Sequence, residues 1–206
     1  THDLAALGAA SGPSPHPTVG ALAALYGGDP ERARELAELI RTGDTPTLLG
    51  IAAYVAGEIE SVAGDADVAE ERYTAAVARA RAAGSTFLEA IAAVGLASVR
   101  HRAGRVAAAL EGYRDVVDHW AEGGTWGHLW VTLRNLADLL RELDDAGTAD
   151  LIDAAADRAP DAPEGPPGPG HISPERAPDR GQALALARAA LTRHLRAVRD
   201  SGVHVT

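Results

Sequence analysis

The chain has 206 residues, 46% of them hydrophobic, a formal net charge of −10, no cysteine and no lysine. That length can bury a sizeable core, while the negative charge, with arginines interleaved among acids, excludes a basic stripe for DNA. Disulfides, thiolate chemistry and a standard phosphate loop ending in Gly-Lys-Ser or Gly-Lys-Thr are excluded by composition.

No stretch reaches the roughly 20 apolar residues of a membrane span, and the N-terminus lacks a basic region followed by an apolar run. The expectation is a cytoplasmic protein. A start at Thr1 without methionine reads as a piece of something longer.

Residues 1–17, with Gly8, Gly12, Pro13, Pro15 and Pro17, read as a linker or N-terminal arm. A short helix over Thr18 to Tyr26 closes at Gly27-Gly28, and Asp29-Pro30 then supplies a cap and a first-turn proline for a helix to Thr42. Thr45-Pro46 opens the next helix, which ends near Gly64, and its partner runs from Asp65 to Ala83 with Gly84 as the stop. Ser85 caps a helix to Ala103, and Arg105 to Ala121 returns before Gly123-Gly124. Thr125 caps a helix to Leu143, followed by Asp145 to Ala159. Residues 160–179 hold seven prolines, including Pro166 and Pro167, and form a linker. Residues 180–200 form a last helix whose Ala183, Leu184, Ala187, Leu191 and Leu195 make an apolar face, the pattern of a capping helix.

Small residues recur every 40 positions, as Gly57, Ala97 and Ala137 and again as Ala69, Ala109 and Ala149. Within each repeat the two lie 12 apart, the spacing at which tetratricopeptide (TPR) helices pack closely. Tyr73 and Tyr113 share a third series, whose next member is Asp153; that departure predicts a terminal repeat with a more polar outer face. Gly28 and Ala33 precede Gly64 and Ala69 by 36, so the first pair is a shortened copy. The fold expected for residues 18–159 is therefore all-α, a TPR-like solenoid of about four helix pairs, with the last helix as its cap.

The run Trp126, Trp130, Thr132, Leu133, Arg134, Asn135, Leu136 and Ala137, followed by Leu139-Leu140, Ala149, Leu151 and Ala154 to Ala156, resembles the C-terminal TPR-like region of actinobacterial AfsR/SARP-type and LuxR-type regulators. Those regulators carry a STAND-class nucleotide-binding module before the repeats. The resemblance implies a regulatory arm that binds a partner protein, another domain of its own regulator or an effector, with DNA binding and ATP hydrolysis performed elsewhere.

In a TPR array the first helix of each pair lines the groove, which places Tyr54, Glu58, Ser98, His101, Arg134, Asn135, Asp138 and Arg141 there. Arg134 offers a two-pronged donor for a carboxylate and Asn135 can pair with an extended peptide; alternatively Arg134 simply pairs with Asp138 one turn later. Trp120, Trp126 and Trp130 cluster in one turn region, as an aromatic wall for a small molecule or as core filler. His101, His119 and His128 could converge on a metal, as in a hydrolase, but match no familiar ligand spacing. The acids Glu58, Glu60, Asp65, Asp67, Glu70 and Glu71 surround a helix start, where dipole and capping effects favour them. These residues point to a protein-interaction domain without catalysis, metal or cofactor, the alternatives being a Trp-lined small-molecule module and a His-based metal hydrolase.

Overall fold

Glycine and proline set the helix ends in a computed structural model that describes residues 17–42, 45–163, 169–170 and 172–202. Among the described residues there are nine α-helices and no strand. None of these helices is long and apolar enough to cross a membrane. Residues 1–16 of the expected arm lie outside the described residues.

The chain divides into two compact units, Thr1–Ala103 and Gly104–Thr206. In the first, α1 (Pro17–Tyr26) and α2 (Pro30–Glu38) form a hairpin, α3 (Pro46–Ala63) and α4 (Ala66–Ala82) form a second, and α5 (Thr86–Arg102) packs on α4. The single helix expected to Thr42 instead ends at Glu38 and tightens into a 3₁₀ turn over Leu39–Thr42. One cluster joins Ala21, Leu25, Ala33, Ile40, Val55 and Ile59; another joins Ala53, Ala69, Tyr73, Ala76, Ala92 and Val99.

The second unit holds α6 (Val106–Gly123), α7 (Trp126–Glu142), α8 (Ala146–Arg158) and α9 (Arg180–Asp200). Helix α7 packs on α6 and α8, and α9 lies mainly against α6 and α8. Leu110, Tyr113, Trp120, Leu129, Trp130 and Ile152 are among its fully buried side chains. The Pro-rich segment is not wholly irregular: Pro174–Arg176 makes a 3₁₀ turn just before α9.

Left-handed backbone recurs every 20 residues, with φ of 67° at Gly84, 72° at Gly104, 66° at Gly124 and 60° at Asp144. Three of these turns use the residue that takes positive φ without steric cost, and the fourth uses aspartate, one of the few others that tolerates it. Each lies just past a helix end.

Asp29, Thr45, Asp65 and Asp179 cap their helices through side-chain bonds, the last in a reciprocal box with Gln182. Ser85 and Thr125 occupy cap positions but make no cap bond. Both have ψ near 75°, short of the extended backbone at Thr45 and Asp65; Asp29 has similar backbone yet its longer carboxylate reaches Arg32 N–H.

Asp145 is also a cap residue without a cap bond. Its carboxylate turns instead to α9, accepting from Arg193 and meeting His194 Nε2 at 3.1 Å. Burial alone would raise its pKa, but bonds from Thr148, His194 and Arg193 hold it below the ordinary 3.8. A depressed carboxyl contributes stability above its unfolded pKa and loses it as pH falls through the folded value. Protection factors of the α9 amides should therefore fall below about pH 4, and Asp145→Asn should lower α9 protection at neutral pH while flattening that acid response. Equal pH dependence in wild type and variant would contradict the assignment.

Candidate functional site

The expected groove residues fall into the two units. In the first, Tyr54 and Glu58 stand one turn apart on α3 and meet two residues that the sequence reading had not placed with them. Tyr26 of α1 donates its hydroxyl to Glu58 Oε2 at 2.5 Å, and Tyr73 of α4 donates to Glu58 Oε1 at 2.6 Å. The Tyr54 ring centroid lies 6.2 Å from that of Tyr73. Burial, reinforced by the Glu58 charge, pushes all three phenols well above the usual tyrosine range, so they remain donors. Tyr26, Tyr54 and Glu58 are half-buried and Tyr73 is buried.

Glycine makes room for this arrangement. A Cβ at Gly57 would lie 2.8 Å from Tyr73 Cδ1, and one at Gly95 only 2.5 Å from Tyr73 Cζ. The Tyr73 ring thus reaches α3 and α5 at points where no side chain could stand. Ser98 and His101 lie further along α5, half-buried and buried respectively.

In the second unit, Arg134 and Arg141 on α7 are turned toward α8. Arg134 donates to Asp157 Oδ1 at 2.9 Å. Asp138 meets Arg141 at 3.4 Å, with its own side chain 70% exposed. Arg141 further bonds Asp150 at 2.9 Å and Asp153. The expectation for Asp153 is overturned: it is 6% exposed and not part of a polar outer face. Desolvation forbids a lone charge there, and the Arg141 guanidinium answers it from across the hairpin. Burial nevertheless pushes the Asp153 carboxyl above its ordinary range, with Arg141 opposing the rise. Asn135 stands beside this network, half-buried.

The three tryptophans have separate surroundings. Trp120 is buried, with the rings of His119 and His128 each 5.0 Å from it. Trp130 is buried and donates its indole N–H to Asp161 Oδ1 at 3.0 Å. Trp126 is half-buried beneath Arg180, whose guanidinium carbon sits 4.3 Å above the ring while donating to Asp161 Oδ2 at 2.5 Å. A cavity of about 310 Å³ opens beside Trp130, lined by Arg158, Pro160, Pro178 and Arg180 among others. Among the described residues no group of three histidines or acids is placed to hold a metal ion.

The spacing of 12 residues that flagged the small pairs also separates Arg141 from Asp153, a signal that could have located that contact. Tyr26 carried no such signal, because its approach to Glu58 depends on how the first hairpin packs against α3. No family model, curated protein or solved structure matches this chain.

Proposed function

We propose that the chain is a TPR-like helical-repeat arm of a larger bacterial transcription regulator, working in the cytoplasm by holding a partner segment or another domain of that regulator. Its activity is binding, with no catalytic step. The observation that carries the reading is an acid on the first helix of a hairpin in each unit, Glu58 in the first and Asp138 in the second. Both keep solvent access, whereas the small residues Gly57, Ala69, Ala97, Ala109, Ala137 and Ala149 are all buried. A hairpin that buries its spacers and keeps an acid of its first helix open to solvent suits recognition of a basic segment.

Calorimetric titration of the chain with the nucleotide-binding portion of such a regulator tests this. Binding with Kd of about 1–10 μM is expected, weakened about tenfold by Asp138→Arg. Arg134 is unsuitable for the test because its removal also breaks the bond to Asp157. No detectable binding by the wild-type chain would end this reading and favour a second one, a small-molecule module at the 310 Å³ cavity beside Trp130.

A further inference from the structure

We propose that Glu58, ringed by Tyr26, Tyr54 and Tyr73, is a receptor for an arginine side chain supplied by a partner segment. The proposal rests on the interaction-arm reading for the source of the arginine, though not for the existence of the cation site.

The chain's own treatment of its carboxylates carries the inference. In the first unit the half-buried Glu60, Glu70 and Glu89 are each within ion-pair distance of an arginine: Arg34, Arg100 and Arg81. In the second, Asp118 and Asp145 pair with Arg188 and Arg193, and Asp150 and Asp153 share Arg141. Among the described residues Glu58 is the exception in that class of burial: its bonded partners are phenols, and no arginine pairs with it.

The Tyr26 and Tyr73 hydroxyls orient the carboxylate without supplying a counter-charge, and a half-buried charge without one is costly. Two lone-pair directions are taken by Tyr26 and Tyr73, one on each oxygen, so each oxygen retains a direction for a further donor. Tyr26 and Tyr54, both half-buried, add aromatic rings of the kind that attract a planar guanidinium. Arginine is also the only strongly basic side chain this chain uses, so a companion segment of the same composition would present arginine rather than lysine.

The test is an NMR titration of the full 206-residue chain with N-acetyl-arginine amide, read at the ring resonances of three of its four tyrosines. N-acetyl-citrulline amide, of nearly the same shape without the charge, is the comparison. Saturable shifts at Tyr26, Tyr54 and Tyr73 with the arginine probe alone are expected, weakened about tenfold or more in Glu58→Gln. Absence of saturation, equal shifts from citrulline, or undiminished shifts in a folded Glu58→Gln chain would overturn the site. Should Glu58→Gln fail to fold, the arginine-to-citrulline comparison on the wild type decides alone. Probe binding without regulator binding would keep the receptor and discard the regulator reading; regulator binding without probe binding would do the reverse.

Discussion

Replacing Arg141 with methionine is expected to destabilise the chain by about 3–5 kcal/mol at neutral pH, read from urea unfolding midpoints. The guanidinium is the counter-charge of Asp153, which is 6% exposed, and it also holds Asp150. Removing it leaves a buried carboxylate beside two others. Because burial already places the Asp153 pKa above its unfolded value, protonation stabilises the fold: that contribution is full below the unfolded pKa and is lost as pH rises through the folded one. The deficit of Arg141→Met should therefore shrink toward acid pH. The repeat supplies its own remedy, since the positions equivalent to Asp153 are Tyr73 and Tyr113. The double variant Arg141→Leu/Asp153→Tyr is expected to return to within about 1 kcal/mol of wild type, an apolar pair replacing an ionic one. A single-variant loss below about 1 kcal/mol would show that Asp153 does not depend on Arg141.

Gly95→Ala is expected to destabilise by about 1–3 kcal/mol, against the gain of about 1 kcal/mol that the same change brings in an exposed helix interior. The added methyl would enter the space of the Tyr73 ring, which is 1% exposed and fixed at its hydroxyl by Glu58. The ring can retreat only by breaking that bond or by moving against Gly57. In a Tyr73→Leu background the clash is gone, and Gly95→Ala should become neutral or favourable. The resulting coupling of about 1–3 kcal/mol in a double-mutant cycle is the signature of direct contact. A wild-type chain made more stable by Gly95→Ala would show that α5 and the ring have slack between them.

Helix placement was legible because punctuation is dense: Asp29-Pro30 and Thr45-Pro46 mark starts, and Gly84, Gly104 and Gly124 mark turns that do adopt left-handed backbone. Asp144, the fourth such turn, was invisible since aspartate there reads equally as an ordinary helix end. Within the candidate site, Tyr54 and Glu58 share a helix face and could be paired by spacing alone. Tyr26 could not, as its contact comes from helix packing. Asp153 misled for a related reason: a polar residue at a core position reads as exposed unless its partner is known, and Arg141 stands 12 residues away. The tryptophans were close in sequence, but each indole has its own setting, against two histidines, on Asp161 or beneath Arg180.

The bond between Asp161 and Arg180 ties together two points 19 residues apart, at the entrance and exit of the proline-rich segment. A segment closed by such a bond is penalised only logarithmically for added length, about 0.6 kcal/mol for each doubling. Sequence inserted between Asp161 and Arg180 should therefore cost little, as long as these two and the tryptophans they engage are kept.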